Sequence, residues 1–289
     1  MRLSNHIGNT PLIKISERIY AKAELFNPTG SIKDRPASFI INQAEKDSLL
    51  FKGDTIIEAT SGNMGVSFAW LAAERGYRCK IVMPSNMSEE RKKTLVYYGA
   101  DLIEVDPGDF DGAIALRDRL ALENDWFNCN QFANPLNIEA HSSTTAKEII
   151  QQMEDLDEVP SAFISGTGTG GTLMGAGCTV RDRWKSLSIV AVEPAESPVM
   201  SGGSPGLHGI QGIGDGSKFL VDLTEVDEII RISTNDAKER ARDLAKELGI
   251  FVGISAGANI LAAEKWCGIN PGVAVTFLCD RGDRYFSCL

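Results

Sequence analysis

Short runs of apolar, β-branched residues alternate along the chain with longer stretches patterned for helix. The short runs predict strands at 55–58, 79–83, 102–105, 162–165, 188–192, 228–232 and 273–279. Several are apolar at almost every position, as strands covered on both faces should be. Helices are expected near 36–48, 64–75, 88–98, 110–123, 141–153, 171–184, 235–248 and 257–266. The helix near 88–98 carries its own boundaries: Ser88 suits the cap, Glu89 and Glu90 suit the positive first turn, and Gly99 suits the stop. Strand–helix alternation of this length predicts an α/β chain built on doubly wound parallel sheets. Residues 202–206, Gly-Gly-Ser-Pro-Gly, read as a mobile surface loop. The chain shows no repeat, low-complexity tract or linker, so its pattern does not place a domain boundary.

Composition narrows the function classes. With 289 residues, 43% hydrophobic and 24% charged, the chain can bury a large core and has room for two lobes. A net charge of −10 argues against a nucleic-acid partner, which needs a positive surface. No apolar run reaches the ~18–20 residues of a membrane span. The opening Met1-Arg2-Leu3-Ser4-Asn5-His6 lacks the apolar core of a secretory signal, so a cytoplasmic protein is expected. Six cysteines are scattered with no CxxC pair and no neighbouring histidine set. They predict buried thiols in a reducing compartment, with no metal site and no disulfide framework.

One glycine-rich segment invites two misreadings. Gly166, Gly168 and Gly171 fit G-x-G-x-x-G after an apolar strand, the pattern of a dinucleotide site. Such a site also wants an acidic residue at a strand end about 20 positions on, and Glu193 fits only loosely. A nucleotide P-loop fits worse, because no Gly-Lys-Ser/Thr follows. What all these loops share is physical. Glycines let backbone N–H groups approach an anion, and the helix that follows adds its dipole. Thr169 and Thr172 add hydroxyls, so the loop suits a phosphate held permanently; the alternative is a tight turn before a helix.

Lys33 stands in Asn27-Pro28-Thr29-Gly30-Ser31-Ile32-Lys33-Asp34-Arg35-Pro36. A lysine in a loop just before a helix can form a Schiff base with a carbonyl cofactor. Asp34 is expected to cap that helix and Pro36 to occupy its first turn. By composition alone Lys33 is an ordinary surface lysine. Asn63 is expected just before a helix, in Thr60-Ser61-Gly62-Asn63, where it doubles as an N-cap. Ser255, in Gly253-Ile254-Ser255-Ala256-Gly257, is expected to open another turn before a helix, where capping is again the plain alternative.

Taken in order, these segments resemble the pyridoxal-phosphate (PLP) enzymes of the cysteine synthase and cystathionine β-synthase family. The resemblance runs from Ile7-Gly8-Asn9-Thr10-Pro11-Leu12 to Arg281-Gly282-Asp283-Arg284-Tyr285 and includes His141-Ser142-Ser143-Thr144-Thr145. It implies fold type II: two doubly wound lobes, the smaller at 38–140 and the larger at 1–37 plus 141–289, with the cofactor in the cleft. It implies that Lys33 forms the internal aldimine and later moves substrate protons. Gly168, Thr169, Gly170, Gly171 and Thr172 would hold the PLP phosphate. Asn63 would bond the ring hydroxyl oxygen, and Ser255 the pyridine nitrogen. Thr60, Ser61, Gly62, Asn63 and Gln131 would receive the substrate carboxylate. A neutral serine on that nitrogen makes the ring a weaker electron sink than a carboxylate partner would. That tuning suits β-elimination better than transamination. A homodimer and a serine acetyltransferase partner are also implied by the resemblance.

Three departures matter. Met64 replaces the threonine usual in the substrate turn, which reshapes the amino-acid pocket or simply packs a helix. Asp215 replaces alanine in Ile210-Gln211-Gly212-Ile213-Gly214-Asp215-Gly216. There it either repels hydrosulfide, orients a water as a general base, or sits solvated on an exposed loop. No segment corresponds to a long haem-linked extension or a regulatory module, which disfavours a regulated cystathionine β-synthase. The expected activity is synthesis of L-cysteine from O-acetyl-L-serine and sulfide. Alternatives within the chemistry are a cysteine β-lyase or desulfhydrase, cystathionine synthesis, and O-phosphoserine as donor. Different classes are a catalytically idle PLP-fold binding protein and an NAD-dependent oxidoreductase.

Overall fold

A computed structural model describes residues 2–60, 62–87 and 89–288. Among the described residues the strands are β1 (Leu12–Ser16), β2 (Ile19–Lys22), β3 (Thr55–Ala59), β4 (Arg78–Pro84), β5 (Asp101–Val105), β6 (Phe127–Asn128), β7 (Pro160–Gly166), β8 (Ser188–Pro194), β9 (Glu228–Ile232) and β10 (Val273–Phe277). The helices are α1 (Asp34–Lys46), α2 (Asn63–Arg75), α3 (Glu89–Tyr97), α4 (Phe110–Asn124), α5 (136–155), α6 (171–183), α7 (Thr234–Leu248) and α8 (Ile254–Ile269). No helix among these residues is long and apolar enough to cross a membrane.

The chain forms two compact units: Met1–Ile7 with Lys33–Leu136, and Gly8–Ile32 with Asn137–Leu289. The first unit holds a parallel sheet in the order β5-β4-β3-β6. Its strand β3 is buried at every position, which explains why its residues show no inside–outside alternation. The second holds six strands in the order β1-β2-β10-β7-β8-β9, all parallel except the β1–β2 pair. The α/β expectation therefore stands. In both sheets the strand order reverses, between β3 and β6 in one and between β7 and β10 in the other. Ligands in open parallel sheets bind outside the carboxyl ends of the strands at such reversals.

Helix ends follow local chemistry. The Asp109 carboxylate accepts from the Gly112 amide at 2.8 Å to start α4, and the Ser233 hydroxyl accepts from the Asp236 amide at 3.2 Å to start α7. Gly76 and Gly249 end α2 and α7 with φ of 82° and 69°, a region few other residues enter. Each of α5 and α6 contains a π turn, His141–Thr145 and Leu173–Gly177. These meet at Gly175, where an added Cβ would lie 2.2 Å from the Ile138 carbonyl oxygen. Only glycine lets the two helices approach that closely.

Several local expectations need correction. Asp34 does not cap α1: Lys33 is the cap residue, and the Asp34 carboxylate, within the helix, accepts from the Ser67 hydroxyl at 2.6 Å. Asn63 lies inside α2 as its first residue, after the cap residue Gly62. Ser255 lies inside α8, capped at Gly253. Strands β1, β2 and β6 were not predicted; β1 mixes polar and apolar positions, and β6 has 2 residues. The expected cap Ser88 lies outside the described residues.

The cysteines are free thiols. Burial pushes Cys79 up to about 12, and burial followed by the nearby Glu58 pushes Cys129 well above the usual thiol range. Since the thiolate is the nucleophile, both should resist iodoacetamide at pH 8 in the native protein and react after denaturation. Peptide mass mapping checks this, and rapid native alkylation of Cys129 would contradict the packing described.

Candidate active site

The glycine loop occupies the reversal point of the six-stranded sheet. It leaves the carboxyl end of β7 at Gly166 and enters α6 at Gly171. The first amides of a helix lack intrahelical partners, so this end offers N–H groups and a positive dipole to an anion. The loop tolerates no side chains at its glycines. An added Cβ would lie 2.6 Å from the Gly212 carbonyl oxygen at Gly168, 2.6 Å from Val221 Cγ2 at Gly170, and 2.1 Å from Asn137 Oδ1 at Gly171.

The loop's hydroxyls are held from behind. Asn137 Nδ2 donates to Thr169 Oγ1 at 3.0 Å, and an accepting hydroxyl keeps its own proton for another partner. Thr172 Oγ1 lies 3.3 Å from His141 Nε2, and His141 Nδ1 lies 2.9 Å from Thr145 Oγ1. Asn259 Oδ1 accepts from the Gly166 amide at 2.7 Å. Asn259 is one helical turn beyond Ser255 on the same stripe of α8, so the start of α8 lies against the start of the loop. Segment 212–221 runs alongside, with the Gly214 amide donating to the Thr167 carbonyl and the Leu220 amide to the Thr169 carbonyl. This brings Asp215 to the loop: its Oδ2 lies 3.3 Å from where a Gly168 Cβ would stand.

In the first unit the reversal point gathers a second set. Thr60 follows β3, and its hydroxyl accepts from the Gly62 amide at 3.1 Å. Asn63 opens α2, and Met64 behind it is 1% exposed in an apolar cluster with Phe68 and Ile81. Ser61 lies outside the described residues. Gln131 follows β6, and its Nε2 donates to the Ala59 carbonyl at 3.2 Å, tying the two turns together. Lys33 precedes α1 with its backbone already helical (φ −71°, ψ −15°), and its carbonyl accepts from the Ala37 amide at 3.1 Å.

Of the residues that support the loop, Asn137 and Asn259 were not read from the sequence, and His141 was read only as part of a familiar segment. Asn259 left a local signal, as a polar residue within the apolar run of α8.

The loop suits the phosphate of PLP: a helix start with crowded glycines and two positioned hydroxyls matches a phosphate monoester. Comparison with known proteins gives the family. Residues 3–280 match the family described as pyridoxal-phosphate dependent enzyme. The chain is 42% identical to a cysteine synthase of Staphylococcus aureus, over 97% of this chain and 94% of that protein. Among solved structures it is similar to O-acetylserine sulfhydrylase isoform 3 of Entamoeba histolytica, with TM-score 0.91 and 41% identity over 99% of this chain and 89% of that one. A hydrogen sulfide-producing enzyme of Fusobacterium nucleatum gives TM-score 0.95 and 37% identity, over 99% and 90% of the two chains. This chain belongs to the pyridoxal-phosphate-dependent enzymes, with the fold type II architecture of the cysteine synthases.

Proposed function

We propose that this chain is a PLP-dependent cysteine synthase that joins hydrosulfide to the β-carbon of O-acetyl-L-serine and releases acetate. The observation that carries the reading is the crowded glycine loop at the sheet reversal, whose shape suits a phosphate, in a chain 42% identical to a cysteine synthase. Bound PLP supplies electron withdrawal from Cα, which acidifies the α-proton and lets the β-substituent leave.

The chain's own residues do the rest. Lys33 Nζ would link the cofactor until the substrate amine displaces it; the freed amine would then take the α-proton and return it after hydrosulfide has added. Gly168, Thr169, Gly170, Gly171 and Thr172 would hold the phosphate. Asn63 would donate to the ring hydroxyl oxygen, and Ser255 would bond the pyridine nitrogen without charging it. Thr60, Ser61, Gly62, Asn63 and Gln131 receive the α-carboxylate, aided by the positive start of α2. Met64 shapes the apolar wall of that turn. Residues 38–140 form the substrate lobe of this reading and the remainder the cofactor lobe. A cytoplasmic homodimer engaged by a serine acetyltransferase belongs to the same reading and rests on the resemblance alone. A donor panel tests it: O-acetylserine should outpace O-phosphoserine and serine by at least tenfold, with acetate and cysteine formed one to one. Equal or faster turnover of O-phosphoserine or serine would overturn the donor assignment.

The place of Asp215 favours a second reading, a β-lyase that converts L-cysteine and water to serine and sulfide. A carboxylate beside the glycine loop can orient a water and accept its proton as the water adds to the β-carbon. If this activity operates, Asp215→Ala lowers the ratio of sulfide release to cysteine synthesis at least tenfold, as sulfide and cysteine assays on the same preparation would show. An unchanged ratio removes Asp215 from the chemistry.

A further inference from the structure

At the carboxyl end of β3, Glu58 and Arg117 form an ion pair at 3.0 Å with side chains 1% and 2% exposed. Burying both charges is costly, and apolar residues of similar size often serve stability as well or better. Their contacts indicate what the pair accomplishes. Glu58 Oε1 accepts from the Ala59 amide at 2.8 Å and from Arg117 Nη1, while Oε2 accepts from the Gln131 amide at 2.9 Å. Arg117 Nη2 donates to Asn130 Oδ1 at 3.2 Å, and the guanidinium reaches Asp118 Oδ1 at 2.7 and 3.0 Å.

The two turns so joined are those at the sheet reversal. Asn130 sits at φ 51°, a left-handed conformation that asparagine tolerates but that needs surrounding bonds to hold it. Arg117 fixes its side chain, and the Ala133 and Asn134 amides fix its carbonyl at 3.1 and 2.9 Å. Glu58 meanwhile clamps the next amide, that of Gln131, in register with Ala59. Glu58 thus sets the distance between the turn that carries Gln131 and the turn that leads into α2.

We propose that the buried Glu58–Arg117 pair is the positioning device for the substrate α-carboxylate, holding Gln131 in register with Ala59 at the end of β3. The inference rests on the carboxylate role given above to Gln131. Glu58 and Arg117 are positioning residues: they act through Ala59, Asn130 and Gln131.

The test is equilibrium titration of the PLP-loaded protein with L-alanine, which has no β leaving group, and with L-alaninamide, which lacks the carboxylate. The ratio of the two affinities measures carboxylate recognition. Glu58→Gln and Gln131→Ala should each lower that ratio at least tenfold. The double variant Glu58→Gln/Arg117→Met leaves no buried charge unpaired, so it should recover melting temperature without recovering the ratio. A ratio that returns with the melting temperature would show a merely structural pair and overturn the proposal. So would an effect of Gln131→Ala with none of Glu58→Gln. A Gln131→Ala variant with an intact ratio would overturn the carboxylate reading of the turn, and this proposal with it.

Discussion

Lys33→Ala is expected to abolish cysteine formation and the visible absorption of lysine-linked PLP while leaving the protein folded. Proton transfer by a positioned side chain contributes on the order of 10²–10⁴ in rate, and losing the cofactor's covalent anchor adds to that. The geometry fixes the base of the lysine. The Lys33 backbone is already helical and its carbonyl is engaged by the Ala37 amide, so the Cα is fixed and only the side chain moves. Circular dichroism and the absorbance spectrum of protein dialysed against excess PLP check the expectation. A folded variant that keeps both the band and at least a tenth of the activity would remove Lys33 from the chemistry.

Gly170→Ala is expected to be the most damaging single-methyl change in the glycine loop. Its φ of 90° is outside the range alanine adopts comfortably, and the new methyl would meet Val221 Cγ2 at 2.6 Å and the Val221 amide nitrogen at 2.9 Å. Backbone strain of about 1–3 kcal/mol and a comparable overpacking cost point to a loss on the order of 2–6 kcal/mol. Part should appear as a lower melting temperature and part as weaker PLP binding, since the loop must distort to relieve the contact. Gly202→Ala is the control. That residue has φ 83° but nothing within 4 Å, so it carries the conformational cost without the collision. Equal melting temperatures and equal PLP affinities for the two variants would contradict the packing of segment 212–221 on the loop.

Much of the fold was legible because the sheets are buried. Strands such as β8 and β10 are mostly apolar, and the helices between the strands end on glycines and caps that leave a local mark. Strand β1 was not legible, because its mixed burial leaves neither a clean alternation nor a solid apolar run. Cap positions missed by a residue or two for a related reason. Asp34 is a good cap by type, yet Ser67, far along the chain, engages its carboxylate within the helix. Tertiary bonding decided the matter, and no local rule sees it.

The candidate site divides along the same line. The residues proposed to meet the cofactor sit in short turns that resemble the family's motifs, so Lys33, Asn63, Ser255 and the loop at 168–172 could be named from the sequence. Residues that hold those turns in place act over long separations. Glu58 reaches Gln131, Asn259 reaches Gly166, and Asn137 reaches Thr169, with nothing local to announce them. Asp215 was visible only as a departure from a familiar loop, and the fold adds its place beside Gly168.

The most direct test of the central claim is the absorbance spectrum of the PLP-loaded protein, titrated with O-acetyl-L-serine and then with sulfide. A spectral shift with acetate release is expected on the first addition, and return of the original spectrum with stoichiometric L-cysteine on the second. A protein that binds PLP yet shows no shift and no acetate with O-acetylserine would contradict the claim.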